Sequence, residues 1–171
     1  MIYLIGVDHQ LQHNGNNCAE SQKRSAFVQY LVNKIKELNI SLIAEEFNFE
    51  ALGKSQGTNS SCKIAAQESG IEHRFCDPTT SERESIRIPS KNKIIMDLFG
   101  KPKKILNHIE NKQVNDEERM FFTLREKFWI DKIKDKNQEN VIFICGKDHI
   151  VSFKSLVNKE GFDAEELKIE I

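Results

Sequence analysis

Two histidines close the same motif at opposite ends of the chain. Ile2-Tyr3-Leu4-Ile5-Gly6-Val7-Asp8-His9 opens it, and Ile142-Phe143-Ile144-Cys145-Gly146-Lys147-Asp148-His149 recurs near its end. Neutral imidazole is what metal ligation and general-base catalysis require, and the partial positive charge of a helix N-terminus favours it. The alternative is a pair of ordinary strand-to-helix turns. Two of only five histidines occupy this position, which weighs the repeat toward function. An aspartate just ahead of a helix can cap free N–H groups, and Asp8 and Asp148 join the catalytic candidates on their place in the motif.

Other residues could serve the same chemistry. Glu45-Glu46 follows the apolar run Leu42-Ile43-Ala44. One carboxylate can bind a metal or hold a histidine while the other polarises water; an exposed turn or helix cap is the plainer role. Arg125 has Phe121, Phe122, Phe128 and Trp129 at i±3 and i±4, so it shares a face with apolar residues. A guanidinium there either snorkels to solvent or pairs with an anion. Glu126 is its neighbour in the site or a surface partner of Lys127. Asp77 precedes Pro78 and either reaches the pocket or marks a turn, and Arg83 just beyond would suit an anionic substrate. His9 and His13 are four apart, but Asn14-Gly15 argues against a helical ligand pair. His73 reads as a strand-edge residue and His108 as a helix-surface one.

These residues need a scaffold that brings both chain ends together. Short apolar runs bounded by glycine read as buried strands at 2–7 and 141–145, with further strands at 41–44, 71–76 and 167–171. Val28, Leu31, Val32, Ile35 and Leu38 recur at helical spacing on a helix over about 20–38. A short helix at 62–69 ends at Gly70, suited to a left-handed cap. Helical segments follow at 91–99 and 103–112, split by Gly100-Lys101-Pro102. Asn115 with Glu118 approximates a capping box that opens a helix to about Lys136, and a last helix spans about 149–158. Residues 53–61, rich in Gly, Ser and Asn, read as a mobile loop. The expected fold is α/β: one domain over 1–171, a mixed or largely parallel sheet flanked by helices, with two related halves. Such sheets build sites beyond the strands' carboxyl ends, where both histidines would fall.

Composition narrows the function. The chain has 171 residues, 39% hydrophobic and 30% charged, with a net charge of −1, giving no electrostatic case for nucleic acid or an anionic membrane surface. The Lys-rich runs at 101–104 and 132–136 read as solvated faces. No stretch approaches the roughly 20 apolar residues of a membrane span, and the N-terminus lacks the basic region of a secretory signal. Cys18, Cys62, Cys76 and Cys145 show no CxxC spacing, which argues against a zinc ribbon and for a reducing, cytoplasmic setting. Dinucleotide, P-loop and serine-hydrolase motifs are absent from the sequence.

The order of these motifs resembles the superfamily that joins the TraB and Tiki proteins, the erythromycin esterases and the haem-binding ChaN-like proteins. Its paired GxxH motifs correspond to Gly6–His9 and Gly146–His149, its early glutamate signature to Glu45-Glu46, and its arginine-bearing helix to the Arg125-Glu126 segment. Leu124 stands where the TraB and Tiki pattern has glutamate, and Glu126 where it has asparagine. The resemblance implies two related halves with a site between the GxxH turns, and members that are metal-dependent proteases, an esterase or a haem binder.

The leading expectation is a metal-dependent hydrolase of an ester, amide or related bond. His9, His149 and Glu45 bind one Mn, Fe, Co or Zn ion and Glu46 takes the proton of water, or the two glutamates exchange roles. Arg125 steadies the oxyanion, and Asp77 and Glu126 contact a small-molecule or peptide substrate. In a metal-free version His9 or a glutamate activates water directly. Haem or iron binding without turnover is the alternative, and a scaffold that has lost activity is the third. A homo-oligomer could complete the pocket of so short a chain.

Overall fold

The computed structural model describes residues 1–12, 18–54 and 59–169. Five strands form one wholly parallel sheet: β1 (Ile2–Val7), β2 (Leu42–Glu45), β3 (Glu72–Phe75), β4 (Val141–Gly146) and β5 (Ala164–Glu166), in the order β3-β2-β4-β1-β5. Among the described residues eight helices flank it: α1 (Cys18–Glu37), α2 (Phe49–Lys54), α3 (Ser61–Ser69), α4 (Thr80–Ser85), α5 (Lys91–Phe99), α6 (His108–Arg119), α7 (Phe122–Ile133) and α8 (Ile150–Lys159). The protein is a single-domain α/β fold. None of these helices is long and apolar enough to cross a membrane.

Strand alternation splits the core into two layers. On one face Ile5, Val7, Ile43, Ile142 and Ile144 pack against Phe27, Leu31 and Ile35 of α1 and against Ala65 and Ala66 of α3. On the other, Leu4, Leu42, Ala44, Phe143 and Cys145 meet Trp129, Ile130 and Ile133 of α7 and Phe153 and Val157 of α8. Because β1 and β4 are buried on both faces, each reads as a continuous apolar run.

The connections place the repeated motifs side by side. From β1 the chain passes through α1 and over β4 to reach β2; from β4 it passes through α8 and over β1 to reach β5. The two crossovers run in opposite directions on opposite faces, so they share one hand. These interlocked βαβ units put β1 and β4 together at the centre. Their register is offset from the sequence repeat, since Ile2 pairs with Val141 and Val7 with Gly146. Equivalent positions of the repeat therefore face opposite ways: Ile5 lies in the α1/α3 layer and Cys145 in the α7/α8 layer.

Several expected boundaries move. Asn115 and Glu118 sit inside α6; the capping box is Asn107 with Glu110, and another, Thr79 with Glu82, opens the unanticipated α4. Asn115 had the right spacing but no chain break before it, and the preceding helical stretch runs straight through. The last strand among the described residues is Ala164–Glu166, with Leu167 N–H still donating to Leu4 O at 2.8 Å; residues 170 and 171 of the expected 167–171 strand lie outside the described residues. Gly70 and Gly100 do cap helices in left-handed conformation, at φ 68° and 62°. His13 lies outside the described residues, as do residues 55–58 of the expected 53–61 loop; Gly53 and Lys54 instead end α2, and Ser60 caps α3, which begins at Ser61.

Candidate active site

Beyond β1 and β4 the chain turns at once into short 3-10 segments, His9–Leu11 and Lys147–His149. The motif glycines are there for space rather than for a special backbone conformation. Gly146 has an ordinary φ of −60°. A Cβ on it would sit 3.2 Å from His9 Nε2 and 3.4 Å from Glu46 Oε2. A Cβ on Gly6 would stand 2.9 Å from Ile150 Cγ1 and 3.3 Å from Lys147 Cα. Gly6 lets the two turns lie against each other, while Gly146 leaves room for the His9 and Glu46 side chains over its turn.

A cleft of about 540 Å3 opens over this edge. Its floor is His9, Glu46, Arg125, Gly146 and His149; its outer wall is Lys91, Asn115, Glu118 and Arg119 from the helical insertion between β3 and α7. That insertion has its own small core of Ile94, Ile95 and Val114. Lys91 bridges α5 to α6 through Asn115 Oδ1 (2.9 Å) and Glu118 Oε2 (2.8 Å).

Glu46 is the centre of the floor. Its Oε2 accepts the Gly146 backbone N–H at 2.7 Å, and its Oε1 takes the Arg125 guanidinium at 2.8 Å. The same Oε1 faces both imidazoles, 3.6 Å from His149 Nε2 and 3.9 Å from His9 Nε2. Arg125 is clamped on its other edge, where Nε donates to Asp77 Oδ1 at 2.6 Å, and its guanidinium lies over Trp129. Arg83 completes the clamp on Asp77 Oδ2 at 2.8 Å. Burial alone would raise the Asp77 carboxyl, but the charges of Arg125 and Arg83 outweigh it and hold it below the usual range. Burial works against the charged Arg125 guanidinium too, yet Glu46 and Asp77 reverse the balance and push its pKa up. The residue pairs with anions rather than snorkelling.

Each histidine has its Nδ1 occupied from behind, and from different layers. His149 Nδ1 meets Glu126 Oε1 at 2.8 Å, and Ser152 Oγ donates to the same oxygen at 2.6 Å. Its ring stacks on Phe122 with 3.7 Å between centroids and meets the edge of Trp129. His9 Nδ1 meets Gln12 Oε1 at 2.8 Å, and Gln12 Nε2 donates to Glu45 Oε2 at 3.1 Å. The one-residue stagger of the repeat accounts for this division: His9 is held from the α1/α3 side and His149 from the α7/α8 side.

The structure brings His9, His149, Glu46 and Arg125 together as expected neighbours, with Asp8 and Asp148 at the rim. Neither aspartate caps a helix. Asp8 pairs with Lys147 at 3.0 Å, tying the two turns to each other, and Asp148 pairs with Arg119 at 3.3 Å, tying the second turn to the insertion. Three other candidates stand behind the cleft. Glu45 belongs to the opposite layer, fully buried with Gln12 and Ser60 and bonded to the partly buried His73. Glu46 directly follows β2 and prolongs its ladder, its N–H donating to Ile144 O at 2.7 Å, so period-two alternation sends it to the face opposite Glu45. Asp77 and Glu126 hold Arg125 and His149 rather than lining the cleft.

Sequence reasoning passed over Gln12, Phe122 and Ser152; His73 does lie on the edge strand β3, as expected, but its contact with Glu45 was not anticipated. His73 alternates in phase with Ile43 across β2–β3 pairing, a sign that it points into the layer holding Glu45.

No protein-family model, no curated protein and no solved structure matches the chain.

The cleft's donors suit a divalent first-row ion in type: two imidazole Nε2 atoms and a carboxylate oxygen, with both Nδ1 atoms anchored. In spacing they are more open than a closed site. Ligands about 2.1 Å from a tetrahedral ion stand roughly 3.4 Å apart, against the 3.6 and 3.9 Å found here. Among the described residues no group of three or more His, Cys, Asp or Glu side chains is arranged to hold a metal ion.

Proposed function

We propose that the cleft is the active site of a metal-dependent hydrolase acting on an ester, amide or related bond. The carrying observation is the convergence of two Nδ1-anchored imidazoles on one buried carboxylate, Glu46, at the head of an open cleft. The charge count supports a cation there. Three buried carboxylates, Glu46, Asp77 and Glu126, meet two guanidinium groups, Arg83 and Arg125, which leaves one negative charge in excess beside the imidazoles.

His9 and His149 would hold the ion through Nε2, with Glu46, not Glu45, as the carboxylate within reach. Bound there, Mn, Fe, Co or Zn would supply Lewis acidity and a water acidic enough to ionise near neutral pH. The chain's own groups do the rest. In a metal-free version His9, the more accessible imidazole with its side chain half exposed, takes the water proton on Nε2 as the water oxygen bonds to the carbonyl carbon; with an ion bound, that lone pair is committed to the ion. Arg125, already held in place by two carboxylates, presents fixed positive charge to the oxyanion with no reorganisation during the step. The rim cations Lys91, Arg119 and Lys147 are each paired with a rim carboxylate, Glu118, Asp148 and Asp8, so the mouth of the cleft is polar and suits a polar substrate.

The resemblance to the TraB/Tiki, erythromycin esterase and ChaN-like superfamily is part of this proposal. So is a cytoplasmic location, with which the buried free thiols of Cys62, Cys76 and Cys145 accord.

The test is elemental analysis of purified protein after reconstitution with Mn, Fe, Co or Zn, together with a panel of chromogenic esters, amides and phosphate esters. Near-stoichiometric metal and measurable hydrolysis, both lost in His9→Ala, support the proposal. Metal content and hydrolysis unchanged in His9→Ala and His149→Gln would overturn it. A stoichiometric haemin band that vanishes in the same variants, without hydrolysis, would replace it with haem binding; the charged walls of the cleft favour the hydrolase.

A further inference from the structure

The buried cluster behind His9 fixes which nitrogen of that ring faces the cleft. Glu45 is fully buried at the end of β2, and among the described residues each of its oxygens meets a donor. Oε1 accepts from Ser60 Oγ and meets His73 Nε2 at 2.8 Å, and Oε2 meets Gln12 Nε2 at 3.1 Å. Gln12 is itself fully buried, so no water competes for its amide. Its backbone is pinned as well: its N–H donates to His9 O at 3.0 Å and its carbonyl accepts Ser61 N–H at 3.0 Å. Ser61 Oγ adds a bond to Leu11 O at 2.6 Å. The first turn of α3 thus clamps the turn that carries His9.

The amide orientation follows from donor and acceptor bookkeeping. With its NH2 toward Glu45, Gln12 makes a charge-assisted hydrogen bond; turned over, two acceptor oxygens would face each other at 3.1 Å in a dry interior. Oε1 is therefore left for His9, 2.8 Å from Nδ1. An amide oxygen only accepts, so Nδ1 must carry the proton and Nε2 must be the open lone pair. Free neutral histidine leans toward the other tautomer, with the proton on Nε2. We propose that Gln12 is a positioning residue that locks His9 as its Nδ1–H tautomer, and that Glu45, held by Ser60 and His73, locks Gln12.

The consequence for chemistry rests on the hydrolase reading, because only the Nδ1–H form offers Nε2 to an ion or a water proton. The tautomer itself does not depend on that reading and can be measured without substrate. His-selective 15N labelling and long-range 1H–15N correlation of the chelator-treated protein, at a pH where the ring is neutral, report which nitrogen is protonated; His9→Ala assigns the signal. The expected result is a protonated-type Nδ1 and a free-type Nε2 for His9, shifting toward Nε2–H in Gln12→Met, with a smaller shift in Glu45→Gln. A parent His9 found as Nε2–H overturns the proposal, as does a folded Gln12→Met with an unchanged tautomer. If Gln12→Met does not fold, the parent spectrum and Glu45→Gln decide. Once a substrate is known, Gln12→Met should lower kcat or metal affinity about 10–100-fold with KM little changed. An intact tautomer lock without any hydrolysis would refute the function and leave this inference standing.

Discussion

Arg125→Leu tests whether the site is held by charge. The substitution keeps an apolar stem against Trp129 but removes the guanidinium shared by Glu46 and Asp77, whose side chains are only 2% and 8% exposed. Breaking a buried pair by removing one partner costs about 3–5 kcal/mol, because the other charge stays buried. Here two carboxylates lose a partner, yet each keeps another donor: Gly146 N–H at 2.7 Å for Glu46 and Arg83 at 2.8 Å for Asp77. The lower end, about 3 kcal/mol, is therefore expected. With a urea m-value of about 2 kcal/mol/M the unfolding midpoint should fall by about 1.5 M at neutral pH. In an Asp77→Asn background the same substitution should cost at least about 1 kcal/mol less, since the partners couple directly. The pH dependence has a definite sign. Asp77 has a depressed folded pKa, so its stabilisation is present above its unfolded value and lost as pH falls through the folded one. The gap between parent and variant should then narrow below about pH 4. A loss under about 1 kcal/mol, or an equal loss in the Asp77→Asn background, would refute the clamp.

The two motif glycines should separate stability from function. Gly6→Ala, with its Cβ 2.9 Å from Ile150 Cγ1 and 3.3 Å from the Lys147 backbone, should lower stability by about 1–3 kcal/mol in thermal unfolding. Gly146→Ala meets the movable His9 ring instead, so stability should change by less than about 1 kcal/mol while any hydrolysis or metal binding drops at least about 10-fold. Chemical denaturation should rank the histidines the same way: His149→Ala, which empties a buried stack and strips Glu126 of a partner, by about 2–3 kcal/mol, and half-exposed His9→Ala by under about 1. Alkylation mapped by peptide should leave Cys62, Cys76 and Cys145 unlabelled until denaturant is added, because burial pushes all three thiols up, Cys76 to about 12.

Much of this was legible in the residue order. The repeat of apolar run and Gly-x-Asp-His marked two buried strands with histidines at their carboxyl ends, since a run buried on both faces leaves no polar alternation. Helical spacing in Val28, Leu31 and Ile35 fixed the buried face of α1, and the aromatic neighbours of Arg125 placed that residue against the core, with snorkelling and anion pairing both open until the structure set Glu46 and Asp77 beside it. Glu45 and Glu46 were equally legible in principle, because adjacent strand residues must diverge, although which of them faced the histidines depended on the phase of β2 against β4.

Local sequence could not supply that phase, nor the one-residue stagger between β1 and β4. Register is set by which apolar side chains of α1, α3, α7 and α8 fill each layer, a sum over contacts far apart in the chain. The stagger gives identical motifs different supports, Gln12 and Glu45 behind His9, Glu126 and Ser152 behind His149. Sequence alone determined that two histidines would stand at the carboxyl ends of two buried strands; the topology made those strands neighbours. Only the packing of the layers decided which face of each histidine is held and which is left open, because a hydrogen-bond partner is chosen by position in space rather than by distance along the chain.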